Sequence, residues 1–192
     1  MLRLIADHSI NEIVLLNSLD DEQPYWPGKP NERIEFGPLC LELVDETVDM
    51  YEGIIIRDFK FENKKRPQDN RNITQWQFTA WEQNDSIKQL NVLIDLVKKH
   101  QKYVEKDRSV VIQCLDGTQR CGMYVAYSNA LEMFQCTGSF DVAFAVKQVR
   151  SVRPQAFEEF NDLFAVYTWL LTSIKYDSQG IHYNEATFLK PQ

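Results

Sequence analysis

The residues of this chain best suited to chemistry lie in one short stretch, QCLDGTQRCG, at positions 113–122. Within it, Cys114 and Arg120 have five residues between them, after an apolar run and before a helical pattern. In a strand-to-helix loop, successive backbone N–H groups and the helix N-terminus attract an anion, and an arginine fork grips two phosphate oxygens. The same field lowers the pKa of a cysteine and makes its thiolate available as a nucleophile. The spacing predicts an anion-binding cysteine loop, against the alternative of a buried structural cysteine before a surface arginine.

The histidines offer no second chemical site in the sequence. His8, His100 and His182 are scattered along the chain, with neither the spacing nor the cysteine partners of a metal centre. We therefore expect no metal ion and no cofactor.

Strand patterns occupy the first half of the chain. Residues 9–17 end in a short apolar run typical of a buried strand, and residues 20–32, with three prolines and a glycine, indicate a long surface loop. In residues 37–61 apolar and polar residues alternate, as is typical of two antiparallel strands. After a polar connection, residues 73–78 predict a further strand.

Helical patterns dominate the second half. In residues 86–103 the apolar positions recur at three- and four-residue spacing, and Ser86 is the predicted N-cap. Residues 110–114 predict a short central strand that leads into the cysteine loop. Two or three further helices follow, over residues 122–134, 141–152 and 157–174. Strands followed by a helical layer indicate an α/β or α+β domain around a mixed sheet.

Composition limits the class of protein. The chain has 192 residues, 44% of them hydrophobic, which is enough for one domain with a sizeable core. The formal net charge of −7 disfavours nucleic acid or an anionic membrane as a partner. The apolar runs fall short of the ~18 residues that span a bilayer, and four cysteines fit a reducing, cytoplasmic compartment. We assign residues 1–175 to the domain and 176–192 to a C-terminal tail.

The cysteine loop is accompanied by several other recognisable stretches, in a fixed order. They are YWP, FGPLCLEL, IIIRDFKF, RNITQWQFTAW, RSVRP and the helix of residues 157–167. Together they resemble the protein tyrosine phosphatase domain over about residues 2–174, and most of all the second, membrane-distal domain of receptor-type enzymes. The resemblance implies a partial tyrosine-phosphatase fold, in which a twisted mixed β-sheet is flanked by helices and the strand, cysteine loop and helix lie at the centre.

The resemblance also implies roles for individual residues. Cys114 stands at the position of the nucleophile, Arg120 at that of the phosphate-binding arginine, and Gln83 at that of the general acid. Gln83 cannot donate a proton, and losing a general acid typically costs about 10²–10⁴ in rate. Glu82 or Asp85 would replace it only if that loop re-registers. The phosphate loop would consist of Leu115, Asp116, Gly117, Thr118 and Gln119.

Several loop residues depart from the family's pattern. Gln113 and Leu115 replace the family's His and Ser, and Asp116 replaces a small neutral residue. At ~5 Å and an effective dielectric constant of ~20, a carboxylate there repels phosphate or thiolate by about 3 kcal/mol. The alternative is that Asp116 faces solvent or pairs with Arg120. Gln119 replaces a glycine, which would disturb the cradle if that position requires a positive φ.

Three further departures surround the loop. Glu158 and Asp162 stand where the family has two water-orienting glutamines, and both add negative charge; the alternative is that they are ordinary acids on a helix surface. Cys121 replaces a Ser or Thr whose hydroxyl, in the family, hydrogen-bonds the sulfur of the nucleophile. We therefore predict that Cys114 and Cys121 can form a reversible disulfide, against the alternative of two buried free thiols.

These departures favour a catalytically impaired phosphatase-like domain, or pseudophosphatase, in the cytoplasmic part of a plasma-membrane receptor. Its expected partners are a phosphatase domain of the same or another receptor, or other signalling proteins, with weak binding of phosphotyrosine peptides retained. The second hypothesis is an active phosphatase that forms a phospho-cysteine on Cys114. The third is a fragment without an independent fold, since the sequence begins inside the family's domain, without its phosphotyrosine-recognition segment.

Overall fold

The computed structural model describes residues 1–17, 24–49, 53–81, 87–104 and 109–178. Its elements, in chain order, are α1 (Leu2–Asp7), β1 (Glu12–Leu15), β2 (Arg33–Phe36), β3 (Leu39–Asp49), β4 (Ile54–Asn63), a 3₁₀ helix (Pro67–Asp69), β5 (Arg71–Phe78), α2 (Leu90–Val104), β6 (Val110–Gln113), α3 (Gln119–Thr137), α4 (Val142–Val152) and α5 (Phe160–Ser178). The mixed α/β class predicted from the sequence is confirmed. None of the helices in these ranges is long and apolar enough to cross a bilayer.

The six described strands form one mixed sheet in the order β2-β3-β4-β5-β1-β6. The strands β2 to β5 are antiparallel to one another, whereas β1 runs parallel to both β5 and β6. The predicted hairpin of β3 and β4 is therefore present. The strand β6 was expected at the centre of the sheet. It is instead the last in the described order, and it is only half-buried. A short apolar run indicates partial burial, but it does not reveal how many neighbours a strand has.

Several element boundaries differ from the expectation. The second helix begins at Leu90, because Ile87, expected inside it, forms an isolated antiparallel bridge with Trp81. The predicted N-cap, Ser86, lies outside the described residues. The last helix begins at Phe160 and continues to Ser178, past the predicted start of the tail.

Besides the 3₁₀ helix, two elements were not predicted. The six residues of α1 contain one buried side chain, Ile5, so the helix leaves no periodic apolar signal. The strand β2 has no fully buried side chain and shows no regular alternation between exposed and buried positions. Both form because of the neighbours against which they pack, and that information lies elsewhere in the chain.

The sheet separates two apolar clusters. On one face, α2 to α5 cover residues that include Val14, Trp76 and Phe78. On the other face, α1 contributes to a smaller cluster that includes Ile13 and Phe59. Successive residues of β1 thus face opposite clusters, as the two-residue period of a strand requires. This burial holds the carboxyl ends of β1 and β6 side by side, next to the start of α3.

Gly53→Ala is expected to destabilise the fold more than Gly37→Ala. Both glycines have positive φ, +63° and +58°, but a Cβ at Gly53 would lie 2.6 Å from Ala80 Cβ, whereas a Cβ at Gly37 meets nothing within 4 Å. The left-handed backbone costs either alanine about 1–2 kcal/mol, and the clash adds about 1–3 kcal/mol at Gly53 alone. Urea denaturation measures both losses. Equal losses would contradict the packing of the β3–β4 turn against Ala80.

Candidate functional site

The cysteine loop turns the chain from β6 into α3. Cys114 follows β6 directly, and Gly117 makes the turn with φ +70°, a conformation that favours glycine. Thr118 is the N-cap residue of α3. Gln119 is the first helical residue and is not among the positions with positive φ. The expected backbone conflict at Gln119 is therefore absent, because the glycine conformation is needed two residues earlier.

The sulfur of Cys114 is surrounded by hydrogen-bond donors. The Cys121 thiol donates to it, and the backbone N–H groups of Cys121 and Gly117 also approach it. These hydrogen bonds, that of the Cys121 thiol above all, lower the pKa of Cys114 to about 7, against burial and the neighbouring Asp116, which raise it. The position predicted for a nucleophile thus holds a substantial fraction of thiolate at neutral pH.

Cys121 has the opposite acidity. Its side chain is buried in the first turn of α3, with its sulfur 3.6 Å from the carbonyl oxygen of Ile112. The hydrogen bond to Cys114, burial and the charge of the Cys114 thiolate raise the pKa of Cys121 far above its ordinary range. The two thiols therefore form an unequal pair, in which Cys121 keeps its proton and stabilises the negative sulfur of Cys114.

The carboxylate of Asp116 is bound by the loop itself. Its Oδ1 accepts hydrogen bonds from the Thr118 N–H at 2.8 Å and from Cys114 Sγ at 3.3 Å, and its Oδ2 accepts one from Thr118 Oγ1 at 2.6 Å. Hydrogen bonds from the Thr118 hydroxyl and from the N–H groups of Thr118 and Gln119 hold the pKa of Asp116 at about 2. Asp116 is exposed, in agreement with the expectation that it faces solvent. Its carboxylate is hydrogen-bonded to Thr118 and Cys114 rather than paired with Arg120.

Arg120 connects α3 to the strands behind the loop. Its Nη1 donates a hydrogen bond to the Leu16 carbonyl at 3.0 Å, and its guanidinium carbon lies 5.6 Å from the ring centroid of Trp81. That distance is within the range of a cation–π contact. Trp81 is fully buried and precedes the position predicted for the general acid. That position, Gln83, lies outside the described residues.

The two predicted water-orienting positions have different environments. Asp162 is buried, and its Oδ1 accepts a hydrogen bond from Gln119 Nε2 at 3.1 Å. Glu158 is exposed, in agreement with the alternative that it is an ordinary acid on the surface. The structure therefore joins Asp162, but not Glu158, to the cysteine loop. Gly122 permits this closeness, because a Cβ there would lie 2.9 Å from Ala156 Cβ, in the segment that leads to α5.

Sequence reasoning missed two of these contacts. An aspartate two residues before a threonine, as in Asp116-Gly-Thr118, is a local signal for a side chain that hydrogen-bonds the backbone two residues on. That signal could have indicated where the Asp116 carboxylate points. The contact of Gln119 with Asp162 joins residues 43 apart in the chain and has no comparable local signal.

Comparisons with known proteins identify the family of the domain that contains this loop. A family model described as protein-tyrosine phosphatase matches residues 2–172. Receptor-type tyrosine-protein phosphatase U of Gallus gallus is 30% identical over 174 residues, which are 86% of this chain and 12% of that protein. Receptor-type tyrosine-protein phosphatase epsilon of Rattus norvegicus is 26% identical over 178 residues, 85% of this chain and 25% of that protein. This chain therefore spans a quarter or less of the length of these relatives.

Alkylation of Cys114 by iodoacetamide is expected to accelerate as the pH rises through about 7, since the thiolate reacts and the pKa of Cys114 is about 7. Below that pH the thiol is protonated and the rate falls. Cys121→Ala removes the sulfur–sulfur hydrogen bond and is expected to move the midpoint upward, towards the ordinary value of 9.0.

Peptide mass spectrometry follows the alkylation of Cys114, with the exposed Cys136 as an internal reference for the reagent. An identical midpoint in Cys121→Ala would contradict the role assigned to the Cys121 thiol.

Proposed function

This chain belongs to the protein-tyrosine phosphatase family, with receptor-type relatives, and we propose that it is a catalytically impaired member that acts in phosphotyrosine signalling by binding other proteins. The observation that carries the proposal is the Asp116 carboxylate, held by hydrogen bonds beside Cys114. An incoming phosphate has the same sign of charge as this carboxylate and needs the same N–H groups of the loop.

The conflict between phosphate and Asp116 is large enough to matter. Two like charges ~5 Å apart at an effective dielectric constant of ~20 repel by about 3 kcal/mol, and a dianion is repelled more strongly. Solvent exposure of Asp116 reduces this figure through screening. The N–H groups of Thr118 and Gln119 are already hydrogen-bonded to the carboxylate, so they are not available to phosphate. Phosphate would have to displace it before it could bind.

The remaining catalytic positions support the same conclusion. Gln83, at the position of the family's general acid, has a carboxamide with no proton to give to a leaving group, a loss of about 10²–10⁴ in rate. Asp162, at the position of a water-orienting glutamine, holds a buried carboxyl group against Gln119. A carboxyl group there replaces the carboxamide to which the resemblance gives the orientation of water.

One observation favours an active phosphatase as the second candidate function. The pKa of Cys114 is lowered to about 7, so the thiolate needed for attack on phosphorus is available at neutral pH. Arg120 would supply the fork for phosphate, and in the impaired domain the same arginine would support weak binding of phosphotyrosine peptides. Turnover of a phosphate ester distinguishes the two functions.

The cellular setting is proposed from the relatives. They are named receptor-type phosphatases, so we place this domain on the cytoplasmic side of a plasma-membrane receptor. Four free cysteines suit the reducing conditions of that compartment.

A role in protein binding is supported by an apolar stripe on α5. It consists of Phe160, Phe164, Tyr167 and Leu171, which are 77%, 63%, 43% and 46% exposed. Residues at these spacings lie along one face of a helix. Side chains of this size expose about 450 Å² of apolar surface together, which is within the range of the largest patches on monomeric proteins, and such patches often mark interaction sites.

We assign the stripe to contact with a second phosphatase-family domain, and specifically with a second copy of this chain. Exposed acids, Glu158 and Glu159, precede the helix, and the exposed Lys175 lies in its last turn. A two-fold axis that pairs two such helices in antiparallel orientation brings the acids before each helix towards the partner's Lys175. The stripe supplies more than half of the ~800 Å² that each partner contributes to a stable interface.

The purified chain is expected to hydrolyse p-nitrophenyl phosphate no faster than its Cys114→Ser variant, because Asp116 opposes the substrate and Gln83 cannot protonate the leaving group. Phosphate release, measured with both proteins at the same concentration, provides the comparison. Turnover that disappears in Cys114→Ser would establish the active phosphatase instead.

Two variants of Asp116 separate the obstruction of binding from the loss of the general acid. Asp116→Asn removes the charge and keeps the shape of the side chain, whereas Asp116→Ala removes both. Orthophosphate is expected to bind at least about tenfold more tightly to each variant than to the parent chain, and turnover is expected to stay absent. Isothermal titration measures the affinities. Equal affinity in all three proteins would contradict the role given to the carboxylate.

Phe164→Glu is expected to abolish self-association of the chain, since a buried charge opposes the apolar contact. Sedimentation velocity at about 5–200 μM, the range of a modest interface, measures the dimer. The matched control is Phe36→Glu. It changes an aromatic residue on β2 that is about as exposed as Phe164, and it is expected to leave the dimer intact. A monomer at every concentration, or a dimer sensitive to Phe36→Glu alone, would overturn the assignment of the α5 stripe.

A further inference from the structure

A cavity lies between α1, the turn from β2 to β3 and the loop that follows β4. Its volume is about 280 Å³, and it opens to solvent. Its apolar lining includes Ala6, Phe36, Pro38 and Leu39, and none of the described lining residues belongs to the cysteine loop. Pockets that enclose small-molecule ligands measure about 300–1,000 Å³. An open cavity just below this range suits one large side chain of another protein better than a whole small molecule.

Phe36 leaves an aromatic ring uncovered at this cavity. It is the last residue of β2 and is 71% exposed, whereas Leu39, its partner across the hairpin, is buried in the smaller apolar cluster. An exposed aromatic ring beside an apolar cavity gains free energy when a partner covers both surfaces. This surface therefore favours contact with an apolar side chain from outside the chain.

The rim of the cavity carries an excess of positive charge. Arg3 of α1 and Lys65 and Arg66 of the loop after β4 line it, with Asp7 as the acid among its described lining residues. The chain as a whole has a formal net charge of −7, so the rim is opposite in sign to the protein that carries it. A local reversal of sign of this kind favours an acidic partner.

The acids near the rim do not cancel this charge. Arg3 and Asp7 approach to 3.5 Å, but their side chains are 87% and 51% exposed, and exposed ion pairs of this kind are weak. Arg66 pairs with Asp69 at 3.2 Å. The Lys65 ammonium forms no ion pair with any residue in the described part of the chain. Lys65 is thus the cation most available to a ligand.

Hydrogen bonds fix two walls of the cavity. The Pro38 carbonyl accepts a hydrogen bond from the Lys64 N–H at 2.8 Å, which joins the hairpin turn to the loop after β4. Asn63 Oδ1 accepts hydrogen bonds from the N–H groups of Lys65 and Arg66, at 3.1 and 3.2 Å. The backbone that carries these two cations is therefore held in place at the rim.

The third wall, α1, is joined to the same region by Arg71. Its guanidinium donates hydrogen bonds to the carbonyl oxygens of Ile5 in α1 and of Ile10 after it, and to that of Asp69 at 2.6 Å. All three walls are thus ordered before a ligand arrives, and docking does not require further loss of backbone freedom there.

We propose that this cavity, the α1 pocket, is a docking site for an acidic segment of a partner protein that inserts one aromatic or large aliphatic side chain. The inserted side chain packs on Phe36 and Leu39, and acidic residues on either side of it contact Lys65, Arg66 and Arg3. The inference goes beyond the proposed function, because it depends neither on the cysteine loop nor on the α5 stripe.

The test is a titration of the isotope-labelled chain with three short peptides, followed by NMR. The peptide EEFEE, with blocked termini, supplies both the acids and the apolar anchor. KKFKK reverses the charge, and EEAEE removes the anchor. We expect EEFEE to shift the amide signals of Gly37, Lys65 and Arg66, and to bind at least about tenfold more tightly than either of the other two.

Two variants test the charge and the apolar contact separately. Lys65→Glu is expected to weaken binding of EEFEE at least about fivefold and to strengthen binding of KKFKK. Its matched control is Lys147→Glu, which makes the same change of charge at an exposed position on α4 and is expected to leave both affinities within about twofold. Phe36→Ala is expected to reduce the affinity for EEFEE to that for EEAEE.

Four results would overturn the proposal. The first is no saturable shift with EEFEE up to about 5 mM, and the second is equal affinity for EEFEE and KKFKK. The third is an equal loss in Lys65→Glu and Lys147→Glu, since the effect would then come from net charge alone. The fourth is a shift at Gly37 when the chain alone is concentrated, which would make a second copy the occupant.

The α1 pocket and the α5 stripe are distinguished by exchanging their variants. Phe164→Glu is expected to leave the binding of EEFEE unchanged, and Lys65→Glu is expected to leave self-association unchanged. Shifts induced by EEFEE on α5 instead of at the α1 pocket would assign the peptide to the stripe and contradict the inference.

Discussion

The cysteine loop depends on how two negative groups divide a small set of hydrogen-bond donors between them. The thiolate of Cys114 takes the Cys121 thiol and the N–H groups of Gly117 and Cys121. The carboxylate of Asp116 takes the hydroxyl and N–H of Thr118 and the N–H of Gln119. A strand-to-helix turn concentrates donors in a way that suits an external anion. In this chain the Asp116 carboxylate takes N–H groups of the turn, and the proposal of impaired catalysis depends on that contact.

The surrounding fold holds the loop in this state. Parallel pairing of β1 with β6 brings Leu16 to the start of α3, where its carbonyl accepts a hydrogen bond from Arg120. The close approach at Gly122 places the segment before α5 against α3, and Gln119 is hydrogen-bonded to the buried Asp162. Two of these contacts engage polar groups of the loop and its helix, Arg120 and Gln119.

Replacement of catalytic groups also leaves the domain with properties of its own. A second thiol, that of Cys121, stabilises the thiolate of Cys114. The helix α5 exposes an aromatic stripe whose burial would favour association with another protein. The stripe begins at Phe160, two residues before Asp162, which is hydrogen-bonded to Gln119 at the start of α3. Neither feature requires the chemistry of phosphate transfer.

The sequence by itself determined the class of the fold, most of the long elements and the position of the cysteine loop. The period of two in residues 37–61 and the three- and four-residue spacing of the helices come from local backbone geometry, which neighbouring residues encode. Only the tertiary structure decided that β6 ends the described strand order, that Ile87 pairs with Trp81, and that Asp162 rather than Glu158 reaches the loop. Each of these depends on packing between residues distant in the chain, and a local pattern carries no information about which distant neighbour will be present. The orientation of Asp116 is an intermediate case. A three-residue signal could have indicated it, but its effect on Cys114 exists only where the turn brings the two side chains together.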